Sequence, residues 1–301
     1  MNNYMTNYND SLISVVIPCY NSSKTIERAV ISVLSQTHSN FEIIIVDDAS
    51  IDRELTFELI SKFNDNRIVY IQHEYNKNGS AARNTGILIA SGSFVAFLDS
   101  DDEWYADHLE NSLNFMANNS SVPIAFCRSN VMTKGFKDIV LPEKKIQNDE
   151  NVSEYLFCSD GFIQTSGLFV ETRLMKNNLF NENLIRHQDY DLVLRLASKK
   201  YKFLSLSHIG VIIHWEDNDL DKKGGTWKYS YEWALNNREL FTKKSFKCFV
   251  LKNCVLRLFI MGEKKIGLKL FFKHCLKFYS IKEWYKILSI VFFKKVIFSK
   301  I

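Results

Sequence analysis

Between residues 14 and 98, short runs of apolar and largely β-branched residues alternate with segments whose apolar residues recur at helical spacing, and few folds accommodate that order. Ser14-Val15-Val16-Ile17, stopped by Pro18, reads as a strand, and Ser22 to Leu34 as a helix with Ile26, Ala29, Val30, Val33 and Leu34 on one side. Phe41 to Val46 is then a strand, Leu55 to Phe63 a helix, Ile68 to Ile71 a strand, Ala81 to Ala90 a helix and Phe94 to Leu98 a fourth strand. The alternation predicts an α/β fold with a doubly wound, mostly parallel sheet buried on both faces. Ligands of such sheets sit beyond the carboxyl ends of the strands, so the polar residues there are the candidates for chemistry.

Those ends are rich in oxygen ligands. The first strand runs into Pro18-Cys19-Tyr20-Asn21, the second into Asp47-Asp48-Ala49-Ser50 and the fourth into Asp99-Ser100-Asp101-Asp102. A single aspartate there is ordinarily a turn or cap residue. Three acids within four residues suit a hard divalent ion instead, Mg²⁺ or Mn²⁺, which takes one or two carboxylates and completes its shell with water and phosphate oxygens. Asp99, Asp101 and Asp102 meet that requirement, and an ion held there would neutralise charge on a departing diphosphate.

From Val122 to Val170 the pattern loosens, with short apolar runs between polar stretches, and predicts an irregular acceptor-side half. Regularity returns with a helix over Asp189 to Ser198 and a strand over Val211 to His214. His214 is a candidate Mn²⁺ ligand because imidazole is a usual partner of that ion; the other reading is a packed histidine beside Trp215.

In order and spacing, four segments resemble the family-two glycosyltransferases of the GT-A fold, of the bacterial surface-polysaccharide or O-antigen type. They are Val15-Val16-Ile17-Pro18-Cys19-Tyr20-Asn21, Val46-Asp47-Asp48-Ala49-Ser50, Gly79-Ser80-Ala81-Ala82-Arg83-Asn84-Thr85-Gly86 and Phe97-Leu98-Asp99-Ser100-Asp101-Asp102. The resemblance is dense over residues 12 to 110 and reappears over 187 to 196. It implies a UDP-sugar donor, with Pro18, Tyr20, Asn21 and Ser100 lining the nucleotide-sugar pocket, Asp48 on the uracil edge and Arg83 by the base or phosphates. Asp99 would then lie near the ribose, and Asp101 on the metal with Asp102 and His214 as further ligands. Independently, a planar guanidinium at Arg83 suits phosphate oxygens.

His187-Gln188-Asp189-Tyr190-Asp191-Leu192 resembles the family segment that supplies the catalytic base. Direct displacement at an anomeric carbon needs a carboxylate to take the acceptor hydroxyl's proton from the face opposite the leaving diphosphate. Asp189 and Asp191 are the candidates, and residues two apart do not share a helix face, so one of them is structural. Asp189 is the preferred base, against the alternative that it caps the helix. The family more often has Glu where Gln188 stands. The Gln-x-x-Arg-Trp segment of processive synthases is absent, which implies single addition.

Charge is unevenly distributed. Residues 243–301 carry 15 lysines and arginines against two acids, a balance of +13; the whole chain's +4 less that leaves −9 for residues 1–242. The expected organisation is therefore a catalytic domain over 1–242, with a nucleotide-sugar half at 12–110 and an acceptor half at 111–242, followed by a basic amphipathic helical tail. In the tail Lys265, Lys269, Lys273 and Lys277 form a stripe with Ile266, Leu270, Phe271 and Cys275 nearby, and Trp284, Tyr285, Phe292, Phe293 and Phe298 follow. Two readings fit, a helix in an anionic membrane interface and a solvated lysine face over packed helices.

The six cysteines form no CxxC pair and have no histidine at zinc-finger spacing, so they read as reduced thiols. Met1 to Asp10 lacks signal-peptide order, and no apolar run reaches about 18 residues. A cytoplasmic enzyme is expected, free or on the inner face of the membrane, acting on a glycan or lipid-linked sugar. Nucleic acid is not an expected partner. A nucleotidyltransferase would want a glycine-rich phosphate loop where Asn21-Ser22-Ser23-Lys24 stands, and a dehydrogenase a GxGxxG there. A catalytically inactive binding protein of the same fold is the non-enzymatic alternative.

Overall fold

The computed structural model describes residues 10–119, 124–133, 135–215 and 226–275. The first four strands and three helices follow the sequence pattern: β1 (Ile13–Cys19), α1 (Ile26–Leu34), β2 (Phe41–Asp47), α2 (Arg53–Ser61), β3 (Ile68–Gln72), α3 (Gly79–Ile89) and β4 (Phe94–Phe97). β-Branched residues dominate β1 and β2, where Ile13, Val15, Val16, Ile17, Ile43, Ile44, Ile45 and Val46 are buried on both faces. Each contributes about 1.5–3 kcal/mol by leaving water. Strands β3, β2, β1 and β4 pair in parallel in that order. The register places Cys19 opposite Asp47, so the loops after β1 and β2 emerge side by side.

Helix α3 lies close on β1 because Gly86 has no side chain; a Cβ there would stand 2.4 Å from Val16 Cγ1. Asn78, in a left-handed conformation at φ 91°, caps this helix by accepting from the amides of Ser80 and Ala81.

Beyond β4 come β5 (Glu103–Trp104), α4 (His108–Asn118), β6 (Ile124–Thr133), β7 (Ile139–Leu141), α5 (Val152–Cys158), β8 (Leu168–Glu171), α6 (Thr172–Lys176), α7 (Gln188–Ser198) and β9 (Phe203–Trp215). The acceptor-side half is thus more regular than its sequence suggested. Strands of 10 and 13 residues, β6 and β9, run parallel through it, while β8 inserts antiparallel between β4 and β6. Among the described residues the sheet order is β3-β2-β1-β4-β8-β6-β9-β5, with β7 on β6.

The remaining helices are α8 (Trp227–Asn236), α9 (Lys243–Val250), which continues through a π-helical turn at Leu251–Val255 into α10 (Leu256–Ile260), and α11 (Lys264–His274). Beside the domain boundary expected at 242, the chain packs as two compact units. The chain divides into one unit of Met1–Asn148 with Phe162–Asn218, and a second of Asp149–Gly161 with Asp219–Ile301. The physical reason lies in α5, too short to be stable alone. Its Phe157 stacks on Phe241 at 5.5 Å and meets Phe249 edge-on at 5.0 Å, and Trp233 packs on the same two rings. Ser153 Oγ and Ser245 Oγ lie 2.7 Å apart, and Thr242 Oγ1 donates to Glu154 Oε1 at 2.8 Å.

In this second unit the lysine stripe is exposed at Lys265, Lys269 and Lys273, while Leu270, Phe271 and Cys275 turn inward. Lys277 and the aromatic run from 281 lie outside the described residues. No helix among the described residues is long and apolar enough to cross a membrane.

Candidate active site

Loop ends on the β1–β2–β4 edge are tied to one another by short side chains. The amide of Asn21 donates to Ser50 Oγ at 2.9 Å, and Asn21 Oδ1 accepts from the Ile51 amide at 2.8 Å. Asn21 and Ala49 both take left-handed conformations, φ 52° and 59°, which turns the chain sharply at each strand end. Ser22 Oγ and Ser100 Oγ meet at 2.8 Å, joining the loop after β1 to that after β4. Ser100 is thus tied to the loop after β1, Pro18 is half-buried near the end of that strand, and Tyr20 is 50% exposed and available for stacking.

Asp48 is engaged by the loop that follows β3. Its Oδ1 accepts from His73 Nδ1 at 2.7 Å and the Lys77 amide at 2.9 Å, and its Oδ2 from the Asn78 amide at 2.7 Å. What Asp48 does here is pin the 73–78 loop that leads into α3, and so position Arg83.

Arg83 projects from α3 to the acids after β4. Its Nη2 donates to Asp99 Oδ1 at 2.5 Å and its Nη1 to Gln188 Oε1 at 3.2 Å, with the guanidinium 5.5 Å above the Phe180 ring. Asp99, Asp101 and Asp102 each bring a carboxylate oxygen within 4.8 Å of the others. Burial first, then the charges of Asp99 and Asp101, push the Asp102 carboxyl up to about 8 against the lowering effect of its hydrogen bonds. Three crowded carboxylate oxygens, one of them facing Arg83, are a fit for a hard divalent cation. Asp102 is the inner member, accepting from Ser166 Oγ at 2.6 Å and Gln164 Nε2 at 3.0 Å, whereas Asp101 is exposed.

Ser166 was not legible as a site residue. It follows Gln164 on the approach to β8, accepts from the Asp99 amide at 3.0 Å while holding Asp102, and its carbonyl receives Trp104 Nε1 at 2.8 Å. Only the insertion of β8 beside β4 brings it there.

His214 stands outside the three-acid group. Its Nε2 meets Glu103 Oε1 at 2.6 Å, and Arg28 bridges the same carboxylate at 3.3 Å while donating to the Asp101 carbonyl at 2.6 Å. The histidine is a partner of Glu103, the residue next to the three-acid segment.

The second acidic segment opens α7. His187, buried and left-handed at φ 64°, precedes the helix and stacks on Tyr190. The two aspartates have different surroundings. Asp191 is buried and its Oδ2 is bound by Arg195 Nε at 2.7 Å, one turn on; Arg195 also donates to the Leu179 carbonyl. That pairing engages the Asp191 carboxylate within its own helix. Asp189 accepts from the Tyr190 amide at 2.8 Å. Although part of its side chain reaches the surface, burial of the carboxyl raises its pKa, offset by that amide and by the charge of Arg83, with Asp99 raising it further. Asp189 thus lies within electrostatic reach of both Arg83 and Asp99, about 90 residues away in the chain, as a carboxylate with a proton affinity above the ordinary.

The chain matches glycosyl transferase family 2 over residues 14–169. It is 34% identical over 251 residues to the amylovoran biosynthesis glycosyltransferase AmsB of Erwinia amylovora, covering 79% of this chain and 83% of that one. It is 37% identical over 193 residues to the UDP-Glc:alpha-D-GlcNAc-diphosphoundecaprenol beta-1,3-glucosyltransferase WfaP of Escherichia coli, covering 64% and 72%. Among solved structures, S. aureus TarS 1–349 in complex with UDP-GlcNAc superposes with a TM-score of 0.60 at 20% identity over 80% of this chain and 72% of that one. The mannosyltransferase PcManGT of Pyrobaculum calidifontis, in complex with GDP-Man and Mn²⁺, does so with a TM-score of 0.58 at 13% identity over 95% and 88%. A GT-A sheet with its acidic loop after β4, together with a family match across half the sequence, makes this chain a member of glycosyl transferase family 2.

Proposed function

We propose that the chain is an inverting, non-processive transferase that moves a sugar from a UDP-sugar to a hydroxyl of a lipid-diphosphate-linked glycan in bacterial surface-polysaccharide synthesis. The observation that carries this reading is the convergence of Arg83, Asp99 and Asp189 from three separate segments. Arg83 would orient the donor's phosphates, and the Tyr20 ring would stack on the base. Asp101, with Asp99 and Asp102, would hold Mn²⁺ or Mg²⁺, whose Lewis acidity stabilises the leaving diphosphate when bound. Asp189 would remove the acceptor's proton, its raised pKa bringing its basicity nearer to neutral pH. WfaP, whose name specifies UDP-glucose and a diphosphoundecaprenol acceptor, supports the donor and acceptor classes.

A peripheral site on the inner membrane face accompanies this reading. On α11, Ile266, Leu268 and Phe272 are exposed beside Lys264, Lys265, Lys269 and Lys273, a combination suited to anionic lipid.

The test is transfer from UDP-glucose, UDP-galactose and their N-acetyl forms to a synthetic lipid-diphosphate sugar, with and without chelator. Product with inverted anomeric configuration that disappears with chelator or with Asp101→Ala is expected. Full activity in excess chelator removes the cation assignment. Donor binding without transfer or hydrolysis under any condition favours the inactive binding protein.

A further inference from the structure

A second cluster of ligating side chains lies away from the acids. The sequence order of His108, Cys127 and His208 gives no motif, yet the fold brings one ligand atom of each within 4.8 Å of the others. His108 opens α4 and is fully buried, Cys127 is buried in β6, and His208 reaches in from β9 with part of its surface open.

The local backbone is shaped around this meeting point. β6 and β9 run in regular register up to Phe126 opposite Ser205, then shift so that Arg128 faces Ile209 and Ser129 faces Val211. The extra residues lie in β9, between Leu206 and Gly210, and such irregularities re-aim side chains. Gly210 leaves the space in which the three groups converge: a Cβ there would stand 2.2 Å from His108 Nδ1 and 2.8 Å from Cys127 Sγ.

From this cradle we infer that His108, Cys127 and His208 form a binding site for one zinc ion, ligated by two imidazole nitrogens and a thiolate with its fourth position open toward His208's accessible side. His108 Nδ1 and His208 Nε2 are 3.3 Å apart. Two nitrogens each about 2.0–2.1 Å from one tetrahedral zinc stand roughly 3.3 Å from each other. Nitrogen and sulfur select zinc over the magnesium or manganese suited to the all-oxygen acid cluster.

Electrostatics agree with the geometry. Burial, aided by the neighbouring ring, holds His108 neutral, and burial does the same for His208, so their lone pairs are available near neutral pH. Burial pushes the Cys127 thiol up to about 12, while the Gly210 amide favours its thiolate. Zinc deprotonates a coordinating thiol, releasing one proton to solvent as the metal–sulfur bond forms. Without an ion, the two imidazoles share one long hydrogen bond and His108 Nε2 has no partner among the described residues.

The site would staple α4 to β6 and β9 directly behind the donor edge. His108 packs on Trp104, ring centroids 4.6 Å apart, and Trp104 holds the carbonyl of Ser166. Gly167 lies against Cys127, its would-be Cβ 3.3 Å from the sulfur.

Cobalt reports on the sulfur ligand directly, because Co²⁺ bound to thiolate gains a near-ultraviolet charge-transfer band that carboxylate-bound Co²⁺ lacks. The full-length chain, stripped of metal and held in excess Mg²⁺, is titrated with Co²⁺ and then with Zn²⁺. The expected result is a band saturating at one equivalent per chain, bleached by zinc, absent in Cys127→Ser and requiring at least tenfold more cobalt in His208→Gln. No band in the wild-type chain overturns the site, as does a band that survives Cys127→Ser or an unchanged titration in His208→Gln. Should Cys127→Ser fail to fold, as judged by circular dichroism, the wild-type and His208→Gln titrations decide alone.

Discussion

Asp189 and Asp191 sit in the first turn of one helix, where the dipole favours both charges, and their neighbours separate them. For Asp189, replacement by Asn removes a proton acceptor at constant shape, so kcat should fall 10²–10⁴-fold while donor affinity stays near wild type. Isothermal titration with UDP beside steady-state kinetics checks both halves. Because a base acts only when ionised and burial raises this carboxyl's pKa, the rate should fall with decreasing pH at a higher pH than an aspartate near 3.9 would give. That acid limb should be missing from the residual activity of Asp189→Asn. Asp191→Asn should do the reverse. It weakens the pair with Arg195, costing about 1–3 kcal/mol of stability in a thermal melt with kcat of the folded fraction little changed. That residues two apart do not share a helix face was legible in the sequence, whereas the pairing of Asp191 with Arg195 came from the structure. The roles of Asp48 and His214 were not legible either, because their partners His73 and Glu103 lie 25 and 111 residues away.

Among the elements, β1 to β4 were legible because each is a short, mostly apolar run, with β1, β2 and β4 buried and the edge strand β3 half-exposed. The full lengths of β6 and β9, of which only Val211 to His214 was expected as a strand, were hidden by polar residues such as Arg128, Asn130, Ser205 and Ser207 that interrupt the apolar pattern, as happens in strands with one less buried face. The position of β8 is a matter of long-range pairing, and with it went Ser166. Contact between α3 and β1 makes a sharper test of the fold near Arg83. Gly86→Ala forces a Cβ into Val16, and overpacking of this kind costs typically 1–3 kcal/mol. Adding Val16→Ala should make the double variant less destabilised than the sum of the two single changes, measured by urea denaturation.

For the whole molecule, the location of the unit boundary changes what a truncation means. Removing residues 243–301 would strip α9 to α11 from α5 and α8, exposing Phe157, Trp233 and Phe241 within the second unit. The expected product is aggregated protein, seen as loss from the soluble fraction, so truncation cannot isolate a membrane function. Charge reversal can: Lys265→Glu with Lys269→Glu alters exposed residues only. It should reduce sedimentation with anionic vesicles, more so at low salt, while leaving UDP affinity unchanged.

The excursion of Asp149–Gly161 into the second unit also sets a timetable. Helix α5 leaves the ribosome early, yet Phe241 and Phe249, which cover Phe157, are made more than 80 residues later. At about 5–20 residues per second, an amphipathic segment waits several seconds or longer for its partners. During that interval the chain offers a short apolar stretch to whatever holds nascent proteins, and the yield of folded enzyme should depend on how fast residues 162–250 are translated.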